Sequence, residues 1–519
     1  FIIRVTMKKN LKLTGFSLLV STLLLTSCNP FSMVFSAYEY SEEFVGANNL
    51  NINTTKIETY NKRFFDVTRS NPSAGFRTLT LDSIGEQKLL VLPISFSDYE
   101  LDKLDKNNGV DAHIKLENAF FGQSEATLWE SVASFYYKSS YGKLSLNGEV
   151  APWFESKTYT VASINSAMNQ GLDKQTVTSG LLREAVANFK FQFPDRVADY
   201  DQDGDGYIDA AYLVYANPYN NTDRELGAKN IFWAYATFAD KSGNTGSGPF
   251  GHNYAWSSYY FLESHQTLLN HKPDAHTFIH EVSHLFGIPD YYNVNLDDKD
   301  NPLGGFDMMD YTIGDHSGLS KLLLEWAKPM ILDGPGRVKL RPFVESGDLL
   351  IINNHWSGNP MDEYLLLEYY TPTALNEFDS RLNEKFKLPN RAGLKVYHVD
   401  ARTVYELKDN YLRDYVYSDE YDGVDTGLLE LLAHTNSTGR TNQGKKTAFK
   451  LYSLLEKNGI NTFKTGEKAS EDTLFYKGDS FGVNTFTDFT FNRGDELAYT
   501  FMVNDLNRDY ISIDFSQKI

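Results

Sequence analysis

Thr277-Phe-Ile-His280-Glu281-Val-Ser-His284-Leu-Phe-Gly287-Ile-Pro-Asp290 is the stretch on which the reading of this chain turns. Phe278, Ile279, Val282, Leu285 and Phe286 recur with helical spacing. His280 and His284 are four apart, so they share one helical face with Cβ atoms ~5–6 Å apart. That suits two imidazoles meeting one Zn²⁺ through bonds of ~2.0–2.1 Å. Glu281 can reach a metal-bound water without ligating the metal. Gly287 is placed to end the helix in a left-handed turn, and Pro289 forbids its continuation. The chain then reverses and can bring Asp290 beneath the metal as third ligand. With ordinary residue usage, a chance HExxH falls in roughly one or two per hundred chains of this length. Requiring Gly287 and Asp290 as well lowers that to on the order of one in ten thousand.

A second element follows at Gly304-Gly-Phe-Asp-Met-Met-Asp-Tyr311. In metzincins a methionine-containing turn forms an apolar base below the zinc histidines. Met309 is the expected methionine, with Met308 beside it. Tyr311, two residues further, is a candidate oxyanion stabiliser. Asp307, Asp310 and His316 are rivals of Asp290 for the third ligand position.

Taken with Tyr291-Tyr292-Asn293, Ser140-Tyr-Gly-Lys-Leu144, the acidic loop at 199–209 and Gly393-Leu-Lys-Val-Tyr-His-Val-Asp400, these motifs resemble the immune inhibitor A family of secreted bacterial metallopeptidases. The likeness spans about 85–400. It implies an α+β fold: a metzincin-like catalytic domain (a mixed twisted sheet with an active-site helix), then a β-rich C-terminal domain. It also implies zinc held by His280, His284 and Asp290, Glu281 as base, and structural calcium. Two features depart from the family pattern. Phe306 stands where a Trp is usual, and a lipid-anchor motif precedes any pro-region.

The acidic loop repeats the first half of an EF-hand: Asp201, Asp203, Asp205 and Asp209 supply oxygens, and Gly206 the sharp turn. Tyr212 occupies the twelfth position instead of a bidentate Glu, and a strand follows instead of a helix. The expectation is a Ca²⁺ site of modified geometry that orders the loop. Asn293–Asp300, with Asp297, Asp298 and Asp300, is a second candidate.

Lys8, Lys9 and Lys12 precede an apolar run from Gly15 to Ser27. That run is shorter than the ~20 residues needed to span a bilayer, and it fits a secretory signal. It ends at Leu25-Thr-Ser-Cys28, which resembles a lipobox, with Cys28 as the lipidated residue. Cys28 is the single cysteine of 519 residues, so disulfides within the mature chain are excluded. The net charge of −19 argues against nucleic acid as a partner. An aromatic content of 14% favours well-packed, β-rich structure over disorder.

The expected organisation is a lipoprotein signal at 1–28, a tether or pro-region at 29–83, a catalytic domain at 84–335 and a β-rich domain at 336–519. Expected strands are 88–96, 144–150, 210–216, 364–368 and 393–399. Helices are expected over 127–138 and 179–188, with 217–271 loop-like. The function expected is zinc-dependent endopeptidase action on extracellular proteins or peptides, by Zn-activated water with Glu281 as general base. The enzyme is expected as a monomer at the outer face of a bacterial membrane, anchored at Cys28 or shed after processing. A surface adhesin or binding lipoprotein on the same scaffold is the alternative. A zinc amidase acting on cell-wall peptides is a third.

Overall fold

The computed structural model describes residues 81–219, 231–263, 272–294, 298–356, 360, 362–383, 387–401, 403–408, 411–417, 429–430, 436 and 450–518. Cys28 and nearly all of 29–83 lie outside them.

The first sheet is built from β1 (Gly85–Ser95), β2 (Leu144–Val150), β3 (Ala211–Tyr215), β4 (Tyr235–Phe238) and β5 (Asn253–Ser258). Its order is β2-β1-β3-β5-β4. β1 pairs in parallel with β2 and β3, β3 in parallel with β5, and β4 runs antiparallel along the edge. The unbroken apolar run Leu89–Ile94 suits a parallel strand buried on both faces. Leu89 and Val91 enter one core, while Leu90, Leu92 and Ile94 enter the other.

α1 (Val110–Phe121), α2 (Val132–Ser139) and α5 (His276–Leu285) cover the first face through Leu116, Phe135, Phe278 and Val282. α3 (Val161–Asn169) and α4 (Lys174–Gln192) cover the second through Ile164, Met168, Val177 and Leu181. The helix expected from 127 begins later, at Val132. Ser131 and Ser134 form a reciprocal cap there, each hydroxyl accepting from the other's backbone N–H at 3.0 and 2.9 Å. The helix expected over 179–188 is longer, because Asp173 caps it at Thr176. The stretch 217–271 is not all loop: it holds β4 and β5. β5 is buried along its whole length and so lacks the in–out alternation that marks a strand.

The strands from Pro329 onward form a β-rich region. A five-stranded sheet has the order Tyr452–Leu454, Gly393–Asp400, Glu363–Tyr370, Leu349–Ile352, Pro329–Ile331. Alternate residues of its strands serve different cores. Tyr364 and Leu366 pack on the catalytic side, and Leu365 and Leu367 pack toward a four-stranded sheet containing Val338, Phe501 and Ile513. The fold is thus the expected mixed α+β catalytic unit followed by β-rich sheets. The five-stranded sheet includes Pro329–Ile331, on the N-terminal side of position 335.

Candidate metal centre and catalytic site

α5 carries the two histidines to the sheet's first face. Tyr136 on α2 braces it, its hydroxyl donating to the Ile279 carbonyl at 2.6 Å. The helix ends as its sequence demands: Gly287 has φ +87°, and its N–H bonds to the His284 carbonyl at 2.9 Å.

The His280 and His284 rings meet edge to face, with centroids 5.0 Å apart. His280 Nδ1 lies 2.8 Å from the Met308 carbonyl, and His284 Nδ1 lies 2.7 Å from the Ile288 carbonyl. A carbonyl only accepts, so both Nδ1 atoms carry hydrogen. In the neutral rings both Nε2 lone pairs therefore face outward. They converge on Asp290 Oδ1, at 3.0 and 3.3 Å. Three lone-pair donors this close repel one another unless a cation lies among them. With protons as the only cations, burial works to lower His284 but Asp290 carries it up to about 9. Burial likewise works to raise Asp290, yet the two histidines hold it well below the carboxylate range. Two imidazoles with fixed tautomers and one carboxylate are a donor set that fits Zn²⁺.

Glu281 is buried beside this trio, and its Oε2 has no hydrogen-bond partner among the described residues. Burial pushes its carboxyl upward, against the pull of His280 and His284. An unsatisfied buried carboxylate is costly for structure alone.

The three rivals for the third position have other partners. Asp307 caps the short helix Met308–Tyr311 by accepting from Met309 N–H at 2.6 Å, and it also accepts from Ser317 N–H at 2.8 Å. Asp310 accepts from Gly305 N–H at 2.7 Å, and burial pushes it up to about 8. His316 Nε2 faces the Ser283 hydroxyl at 3.1 Å. Met308 and Met309 are fully buried, and their carbonyls do the positioning: Met308 holds His280, and Met309 accepts from Tyr291 N–H at 2.8 Å.

Tyr311 lies with its ring close to Gly305 and beneath the Lys468 ammonium, 4.6 Å from the ring centroid. The tyrosine that bonds to Asp290 is Tyr292, whose ring also stacks near His280 at 6.4 Å. Sequence reasoning assigned Tyr292 no role, although its place two residues past Asp290 was the available signal. It also missed a clamp at the start of α5. His276 Nδ1 meets Asp274 at 2.6 Å, Nε2 meets Asp379 at 3.4 Å, and the ring stacks on Trp129 at 4.3 Å.

In the acidic loop, Asp201, Asp203 and Asp209 bring ligand oxygens within 4.8 Å of one another. Asp205 accepts from Tyr207 N–H at 2.8 Å. Among the described residues Asp201 Oδ1 is buried without a hydrogen bond, and burial with the neighbouring carboxylates lifts Asp209 to about 6. In the other candidate loop, Asp297 lies outside the described residues, and Asp300 pairs with Lys450 at 3.2 Å.

Residues 77–320 match the family model of the immune inhibitor A peptidase M6 catalytic domain. No curated protein matches the chain. That family implies zinc as the metal and proteins as substrates, which agrees with the donor set at His280, His284 and Asp290. Residues 77–320 thus match an immune inhibitor A peptidase M6 catalytic domain, and the chain is a zinc metalloendopeptidase.

Proposed function

We propose that the chain cleaves extracellular proteins at the outer face of a bacterial membrane, with His280, His284 and Asp290 holding zinc and Glu281 acting as general base. The observation that carries this reading is the buried, unpartnered Glu281 Oε2 beside three converging ligand atoms. Bound zinc supplies a Lewis acid that acidifies water and polarises a carbonyl. Glu281 removes a proton from the attacking water as the C–O bond forms, then delivers it to the leaving amine as the C–N bond breaks. Tyr311 is the proposed donor to the oxyanion, and Tyr292 orients Asp290. Unchanged turnover in Tyr311→Phe would remove the first of these roles. β4 runs beside α5 as the antiparallel edge of the sheet, and an edge strand can pair with an extended substrate.

A binding protein on this scaffold would have no use for Glu281, whose burial only costs stability. The deciding experiment digests a protein and peptide library with the mature chain from Asn29, with and without a zinc chelator and with Glu281→Ala. Cleavage that disappears in both controls supports the reading. No cleavage by folded, zinc-loaded protein, before and after trimming to Gln87, favours the adhesin alternative.

Cys28 as the anchor is read from the lipobox alone. An acyl group absent from the mature N-terminus by mass spectrometry would remove it. The Asp201–Asp209 loop is proposed as a structural calcium site. Calcium at a hundred times its Kd should stabilise the protein by about 2.7 kcal/mol. This would register as a rise in melting temperature that a calcium-selective chelator reverses and Asp209→Asn diminishes. A melting temperature indifferent to calcium would remove the site.

A further inference from the structure

Asp290 sits on a loop beyond the end of the metal helix, so its aim depends on what holds that loop. Tyr291, the next residue, is fully buried. Its N–H donates to the Met309 carbonyl at 2.8 Å, which fixes the peptide plane shared with Asp290. Its carbonyl accepts from the Asn436 Nδ2 amide at 2.8 Å, which fixes the plane shared with Tyr292. The two planes between them set φ and ψ of Tyr291, and with them the directions in which Asp290 and Tyr292 leave the chain. Tyr292 in turn hydrogen-bonds to Asp290.

Asn436 comes from the β-rich region, 145 residues from Tyr291 and beyond the residues 77–320 that match the family model. It is fully buried. A buried amide is costly unless its donors and acceptor are used. Here they are used. The second Nδ2 hydrogen goes to the Tyr452 carbonyl at 2.8 Å, and Oδ1 accepts from the Tyr452 N–H at 3.0 Å. The side chain thus pairs with Tyr452 much as the backbone of a neighbouring strand would. These contacts also fix the amide's orientation, because with nitrogen and oxygen exchanged the oxygen would face two carbonyls. The Asn436 carbonyl accepts from the Lys450 ammonium at 3.0 Å, and Lys450 pairs with Asp300 at 3.2 Å. Pairing with Tyr452 occupies one amide hydrogen, and the other reaches the loop of the metal centre.

We infer that Asn436 is a positioning residue for the third zinc ligand: by holding the Tyr291 carbonyl it aims Tyr292 at Asp290, and so makes the β-rich region part of the metal centre. The inference rests on the assignment of His280, His284 and Asp290 as zinc ligands above.

The test titrates zinc against a competing chelator in the mature chain from Asn29, as wild type, Asn436→Ala and a control, Asn353→Ala. Asn353 is also buried in the β-rich region, and it bridges the Glu363 carbonyl and the His355 N–H. It therefore reports the bare cost of deleting a backbone-bridging amide. Both metal-free variants should melt below the wild type. Asn436→Ala should bind zinc about tenfold more weakly, the usual cost of losing a group that orients a ligand. Asn353→Ala should bind it as tightly as the wild type. In a Tyr292→Phe background the Asn436→Ala loss should largely vanish, because the hydroxyl through which it acts is gone. Coupling is reciprocal, so zinc should slow hydrogen exchange in wild-type peptides spanning Tyr452 more than in those spanning the buried strand Leu349–Ile352. That measurement decides the matter even if Asn436→Ala does not fold. Unchanged zinc affinity in folded Asn436→Ala would overturn this inference and leave the zinc assignment standing. So would equal weakening in Asn353→Ala, an equal loss in the Tyr292→Phe background, or uniform slowing of exchange. A wild type that takes up no zinc, or an affinity that Asp290→Ala leaves unchanged, would overturn the ligand assignment and this inference with it.

Discussion

Glu281→Gln should bind zinc like the wild type and turn substrate over about 10²–10⁴ times more slowly, the usual contribution of a positioned general base. Glu281 supplies none of the three converging ligand atoms, so the histidine pair and Asp290 keep their geometry. Both histidine tautomers are fixed by backbone carbonyls that the substitution leaves in place. KM should move little, because the lost interaction belongs to the transition state. The metal-free variant should melt no lower than the wild type. It replaces a buried carboxyl whose Oε2 lacks a hydrogen bond with a neutral amide of the same shape. Metal content by atomic emission, steady-state kinetics and calorimetry together check this. Wild-type turnover with full zinc occupancy would require another base.

Asp379→Ala should destabilise the protein by about 3–5 kcal/mol, the usual cost of removing one partner from a buried ion pair. Asp379 lies beyond residues 77–320, yet it touches both elements that build the metal centre. Its Oδ2 faces His276 Nε2 at 3.4 Å, at the first turn of α5, and accepts from Gly314 N–H at 2.6 Å, just after the Met turn. Burial opposes a charged His276, but Asp274 and Asp379 overcome it and raise the ring to about 10 from 6.5. A raised histidine contributes stability that is full below its unfolded pKa and fades as pH climbs to its folded one. The wild type should therefore lose this contribution between about pH 6.5 and pH 10. Asp379→Asn keeps the shape and removes the charge, so the gap between the two proteins should narrow across that window. Stability curves of Asp379→Asn in the wild-type and His276→Gln backgrounds isolate the coupling. A penalty equally large in both backgrounds would show that the Gly314 contact, and not the ion pair, is what matters.

The metal helix was legible because its information is local. His280, Glu281, His284 and Gly287 occupy consecutive helical turns, and one period fixes which of them share a face. The helix Val110–Phe121 was not among the expected elements, although Ala112, Leu116, Ala119 and Phe120 are buried at helical spacing. β4 and β5 were not. Their pairing joins residues far apart in sequence, and β5 is buried on both faces, so no alternation announces it. In the acidic loop, the spacing of four carboxylates was visible, but only folding separates the three that converge from Asp205.

Sequence alone determined the donor types, their helical register and the sharp turn that follows, since these depend on side-chain chemistry and residues within one or two turns. Tertiary structure decided the rest. It aimed each imidazole through the carbonyls of Met308 and Ile288, brought Tyr292 to Asp290 and carried Asp379 to His276 across 103 residues. Contacts at that separation are set by how the sheets pack and leave no period in the chain.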